Sequence, residues 1–134
     1  MGKQMSYALS TEEKEQIMLF QWAEIAVLNY PELELMYHVP NEGKRSKITG
    51  SRFKHMGLKS GVPDIILPVA HGGYIGLAVE MKYGRGTLTE NQRKWLDLMK
   101  RNGHMTAVCY SFDEAKKVIV DYLRSAPTLL RQSK

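Results

Sequence analysis

A chain of 134 residues with 43% hydrophobic and 25% charged side chains suits one globular domain over residues 1–134, its core over about 10–124. A formal charge of +5 and a pI near 9.3 favour a polyanionic partner without requiring one. No apolar run reaches the roughly 18 residues of a membrane span, no signal-peptide core is visible, Met1-Gly2 lacks a second membrane signal, and the one cysteine, Cys109, excludes an internal disulfide and a cysteine-rich zinc site, so a reducing cytoplasm and no membrane partner are expected.

The two ends, residues 1–9 and 126–134, read as frayed. Ser10 and Glu13 form a predicted capping box, and the helix it opens runs to about Asn29. Ile17, Phe20, Glu24, Val27 and Leu28 share its expected inner face, widened by Trp22 and Ile25. Tyr30-Pro31 stops it, and residues 33–39 suit a strand. Residues 40–60 then carry Lys44, Arg45, Lys47, Arg52, Lys54 and Lys59 against one acid, Glu42. Glycines mark that stretch as loop, with room for a short helix over 51–58.

Two strands follow, over 64–69 and 74–82, joined by a turn at His71-Gly72-Gly73 and spaced as an antiparallel hairpin. A basic loop at 83–86 contains Arg85. Thr89 with Gln92 is a second capping box, and its helix runs to about Asn102, where Gly103 ends it. Residues 105–110 read as a strand. Ser111 with Glu114 is a third capping box, opening a helix to about Arg124. The strand-helix-strand unit over 74–110 implies a parallel crossover. The fold class is therefore α/β, of mixed α+β type: a central mixed sheet flanked by helices.

The hairpin carries the chemistry. Asp64 opens one apolar run, and Glu80 and Lys82 close the next. Two residues apart in a strand, Glu80 and Lys82 point to one face while Met81 points to the other. A hairpin brings Asp64 to the same end of the sheet. Two carboxylates there can hold Mg²⁺ or Mn²⁺, which prefer oxygen ligands, and a metal so placed suits phosphodiester hydrolysis. A lysine on the same face can orient a water or neutralise developing charge. Without a cation the two carboxylates repel, and one stays protonated. Either short motif alone is common, as a turn residue after Pro63 or as a surface ion pair.

Pro63-Asp64 followed by Glu80-Met81-Lys82 resembles the PD-(D/E)xK nuclease signature. The wider series resembles the VRR-NUC family of that superfamily: His38-Val39-Pro40-Asn41-Glu42-Gly43, the run from Gly57 through Asp64, the run from Gly76 through Lys82, and Gly86-Thr87-Leu88-Thr89 with Gln92 and Trp95. The likeness spans about residues 12–123, and the short chain is similar to stand-alone phage and bacterial members. It implies a restriction-endonuclease-like core, a divalent metal (Mg²⁺, with Mn²⁺ as substitute) and cleavage of structured DNA. By the resemblance, Asp64, Glu80 and the Met81 carbonyl are metal ligands and Lys82 is the catalytic lysine. Gln92 lies near the site, although it also fits a purely capping role. The family's first-helix carboxylate falls on Glu12, ahead of Glu13 and Glu15, where the alternative is a first-turn acid favoured by the helix dipole.

The basic segment reads as a DNA-contacting loop with Lys and Arg on phosphates, or else as a solvated surface. Asn41, Lys44, Arg45, Arg52, Lys54, Lys59 and Arg85 are the candidate DNA contacts, and Asn41 and Glu42 match the family's Asn-Glu. His38 reads as a packed strand residue outside the metal site. The expected function is structure-selective DNA cleavage, with four-way (Holliday) junctions resolved by a homodimer whose seam comes from the first or last helix. The alternatives are a less selective or flap- and nick-directed nuclease, and a catalytically silent nucleic-acid-binding module. The intact Asp64, Glu80 and Lys82 weigh against the last.

Overall fold

The structure, a computed structural model, describes residues 11–40 and 47–131, with the backbone alone for residues 47–49. Helix α1 (Thr11–Ala26) leads through a 3₁₀ turn (Pro31–Leu35) into a short strand, β1 (Tyr37–His38). Then come α2 (Lys47–His55), β2 (Ile65–Leu67), β3 (Gly76–Met81), α3 (Glu90–Arg101), β4 (His104–Cys109) and α4 (Phe112–Arg124). The sheet order is β1-β2-β3-β4. The first two pairings are antiparallel and β3 runs parallel to β4. The expected hairpin and parallel crossover are both present in a mixed, helix-flanked sheet.

β3 lies at the centre and is buried along its whole length. Leu77, Val79 and Met81 on β3 join Ile65 and Leu67 on β2 in the core. α4 covers β3 and β4 through Ala115, Ile119, Tyr122 and Leu123, spaced as one helical face. α3 packs against β4, and α1 packs against α4.

Helix α1 turns a different face inward from the one bulk suggests. Its buried stripe is Leu19, Ala23 and Ala26. Phe20, Trp22 and Val27 are only partly buried, and Ile25 and Leu28 are 72% and 83% exposed. Two alanines let α1 approach its neighbours closely, so small side chains define the contact. Regular helix also ends at Ala26, which removes Leu28 from the predicted periodicity. Ser10 and its proposed cap lie outside the described residues.

The strand expected over 33–39 is mostly a 3₁₀ turn. Pro31 pre-sets the first turn, and Leu33 and Met36, three apart, both bury. Only Tyr37 and His38 pair with β2. Helix α2 begins at Lys47, earlier than expected, and ends at His55 with Arg52, Lys54 and His55 against its negative end. At α4 the Ser111 hydroxyl accepts from the Glu114 N–H at 3.1 Å. The Glu114 carboxylate accepts from the Tyr110 N–H at 2.7 Å, one residue beyond the predicted box.

The segment after α4 is tied down rather than frayed. The Gly72 N–H donates to Ala126 O at 2.7 Å, and the Thr128 N–H donates to Ala70 O at 3.1 Å. His71 is buried beneath it, with ring nitrogens 3.0 Å from Ser125 O and 2.8 Å from Glu32 Oε2. This cluster closes the end of the sheet opposite Asp64 and Glu80, and accounts for the His-Gly-Gly turn structurally.

Candidate active site

The hairpin register pairs Ile65 with Val79, and one further step sets Asp64 opposite Glu80. Both carboxyl groups are withdrawn from water, at 3% and 2% exposure. The Asp64 peptide is held from the β1 side, where the Val39 N–H and His38 Nδ1 meet Asp64 O at 2.7 and 2.8 Å. Its side chain is held from the β3 side: Oδ2 accepts from the Met81 N–H at 2.8 Å. The Met81 side chain points into the core, as strand alternation predicts.

Glu80 bears an unresolved conflict. Burial, a hydrogen bond with the Asp64 carboxyl and the Asp64 charge together push its pKa up to about 9, against the pull of Lys82. Lys82 Nζ lies 4.0 Å from Glu80 Oε2, too far for a tight ion pair. Gln92 Nε2 points at the same oxygen from 3.5 Å. Glu80 Oε1 is buried with no hydrogen-bond partner among the described residues. A buried carboxylate oxygen left without a donor is costly.

Gln92 serves two purposes. Its Oε1 accepts from the Thr89 N–H at 2.9 Å, while its own N–H donates to Thr89 Oγ1 at 3.2 Å, completing the capping box of α3. That cap fixes the amide so that its nitrogen faces Glu80. Glu12, half-buried in the first turn of α1, has its pKa raised by burial and then by the Asp64 charge, with Lys82 opposing. It therefore stands in the field of the pair. Among the described residues, no three His, Cys, Asp or Glu side chains are gathered into a ready-made cage. The site is a carboxyl pair with Glu12 as a neighbour.

His38 departs from expectation. It is exposed, and its ring is bound to the Asp64 carbonyl. A carbonyl only accepts, so Nδ1 carries the proton. The sign of this contact lies in the pairing of β1 with β2, which no local motif announces. Among the predicted DNA contacts, Arg52 and Lys54 are exposed on α2, Lys59 is exposed in the loop after it, and Arg85 is exposed beyond β3. Asn41, Lys44 and Arg45, with Glu42, lie outside the described residues.

The donor set is all oxygen, paired, and includes one orphaned atom. It suits a hard divalent cation held by Asp64 and Glu80, which would satisfy Oε1 and displace the trapped proton.

The profile of the VRR-NUC domain family matches residues 10–113, which include all of these side chains. The chain belongs to the VRR-NUC domain family. A solved structure described as a VRR_NUC domain protein aligns with a TM-score of 0.78 at 26% identity, covering 92% of this chain and 96% of that one. No curated protein matches. VRR-NUC membership implies a nuclease-type hydrolase with DNA as its substrate. Among the described residues of this VRR-NUC chain, no helix is long and apolar enough to cross a membrane.

Proposed function

We propose that this VRR-NUC chain is a Mg²⁺- or Mn²⁺-dependent endonuclease of the cytoplasm that hydrolyses phosphodiester bonds in branched DNA, four-way junctions foremost, acting as a homodimer of one-domain subunits. One observation carries the reading: a buried Asp64–Glu80 pair in which Glu80 Oε1 has no partner among the described residues and Lys82 Nζ lies 4.0 Å from Oε2. Such an arrangement is unfavourable as a purely structural feature, because the like charges repel and burial penalises both. A divalent ion turns the same arrangement into a ligand set.

When bound, the ion would polarise the phosphate and lower the pKa of a water. Asp64 and Glu80 would hold it, the Met81 carbonyl and Glu12 would complete the protein's share of its shell, and Gln92 would fix the Glu80 carboxylate. Lys82, at the edge of the pair, orients the attacking water and offsets charge as it develops on the phosphate. Arg52, Lys54, Lys59 and Arg85, all exposed, offer positive charge to backbone phosphates, and Asn41, Lys44 and Arg45, which lie outside the described residues, are proposed as further DNA contacts.

The homodimer supplies two sites for paired cuts in a symmetric junction. The apolar side chains exposed on α1, Met18 and Ile25, with Leu28 beyond it, favour the first helix as the seam, since α4 buries its own. Incubating the protein with labelled duplex, flap and four-way-junction DNA, with and without Mg²⁺, tests the reading. Metal-dependent cutting concentrated on the junction is expected. Equal cutting of all three would assign a non-selective nuclease, and no cutting of any would leave a binding module.

A further inference from the structure

Beside the carboxyl pair lies a groove of about 480 Å³, bounded by the end of β1, the loop over 57–62 and the first turns of α3. It adjoins the site at Gln92, which lines the groove and reaches Glu80 at 3.5 Å. Val39, Leu58, Val62 and Trp95 give it apolar walls, while Lys59 and Ser60 bring a cation and a hydroxyl to its rim. Nothing in the carboxylate chemistry needs this space.

The groove is built rather than incidental. Gly61 sits at φ +87°, and a Cβ there would fall 2.6 Å from the Asn91 carbonyl carbon. The Asn91 side-chain N–H₂ donates to Ser60 Oγ at 3.2 Å. The loop is thus clamped onto α3 at van der Waals limits, and the wall that holds Trp95 and the wall that holds Lys59 keep a fixed separation. Small-ligand sites share its volume of several hundred Å³ and its fixed polar groups beside apolar walls, although here polar and apolar lining are about equal, as suits a ligand with both a base and a phosphate.

We propose that this groove receives one unstacked nucleotide adjacent to the scissile phosphate, its base against Trp95 and the apolar walls, its phosphate toward Lys59. The inference rests on the nuclease reading and narrows its substrate class. The volume suits one nucleotide and not a duplex segment. An aromatic wall accepts any base, because every base has a π face, so the groove reads unstacking and not sequence. Drawing a base from a continuous duplex is costly, and it is cheapest where the base is already unpaired or mispaired. The groove would therefore select branch points over plain duplex within the protein itself, independently of dimer geometry.

The test is a cycle between protein and DNA, read as binding of the full chain to fluorescent flap DNA by anisotropy in EDTA, where no metal supports cleavage. An abasic residue is placed at each position across the branch point in turn. At one position the base removal should weaken wild-type binding about tenfold, and Trp95→Ala should weaken binding to intact DNA by a similar factor. Combined, the two should cost no more than either alone. Trp95→Phe should retain most of the affinity and of the position dependence, which guards against a misfolded alanine variant. Strictly additive losses at every position, or no sensitive position in the wild type and the phenylalanine variant, would overturn the groove. Mg²⁺-dependent cleavage of the same flap by the wild type is scored in parallel: cleavage without coupling defeats the groove alone, and coupling without cleavage defeats the nuclease reading alone.

Discussion

Glu80 is held by the fold in a protonated state that a free carboxyl does not prefer at neutral pH. In the unfolded chain its carboxyl titrates near 4.5, and in the folded protein near 9, raised by burial and by Asp64. Between those values the folded state binds a proton that the unfolded state has released, so metal-free stability falls as pH rises across that window. Glu80→Gln removes the dependence. At pH 8 without metal, the variant should melt a few degrees above the wild type, a gain of at least about 1 kcal/mol, in thermal unfolding. Mg²⁺ should raise the wild-type melting temperature and leave that of the variant unmoved. A variant that melts lower at pH 8 would mean that the Asp64–Glu80 contact stabilises the fold. Calorimetry should likewise show Mg²⁺ affinity dropping sharply in Asp64→Asn. Lys82→Ala should lower the cleavage rate by about 10²-fold or more while DNA affinity changes only a few-fold, since a charge used in the transition state matters more than one phosphate contact. These three residues are legible in the sequence because strand alternation and a short hairpin suffice to bring them together. His38 is not, because its bond to the Asp64 carbonyl depends on the pairing of β1 with β2 across 26 residues.

At the level of elements, the loop before β2 and the start of α3 act as one support. Gly61 and Asn91 touch backbone to side-chain position, and Asp64 follows three residues later. Gly61→Ala combines a positive φ with a Cβ that has no room, so the loop must lift from α3. A loss of roughly 2 kcal/mol is expected in thermal or urea unfolding, with a fall in cleavage because Asp64 moves with the loop. Wild-type stability in Gly61→Ala would show the clamp to be slack. The capping box that holds Gln92 was visible as Thr89-x-x-Gln, since caps are local signals. The inner face of α1 was not visible, since Leu19, Ala23 and Ala26 are chosen by what lies opposite them and not by their own bulk. The same holds for the 3₁₀ turn at Pro31–Leu35. An apolar run read as strand there gains more by burying Leu33 and Met36 three residues apart.

At the scale of the molecule, cations gather on α2 and the loop beyond it, and exposed apolar side chains gather on α1 and the turn after it. Arg52, Lys54 and Lys59 follow one another on α2 and the loop beyond it, and Lys59 lines the groove. Replacing them with glutamine should weaken binding to all DNA sequences alike and flatten the salt dependence by about one unit of slope per lost phosphate contact. One exposed apolar patch belongs to α1 and the turn after it, where Ile25 and Leu28 are exposed. Exposing such side chains side by side is costly for a monomer, and a two-fold contact between copies would cover them. Ile25→Glu with Leu28→Glu places four like charges at that contact, two from each copy. Light scattering should then report a monomer where the wild type is a dimer, with the thermal melt little changed because neither side chain belongs to the core. The chemistry should survive while its pairing is lost. On a supercoiled plasmid that extrudes a cruciform, the wild type should release linear product directly, by two cuts in one encounter, and the variant should accumulate nicked circles first. A variant that is monomeric throughout turnover and still linearises the plasmid without a nicked intermediate would show that one subunit makes both cuts, and would remove the dimer from the mechanism while leaving the carboxyl pair in place.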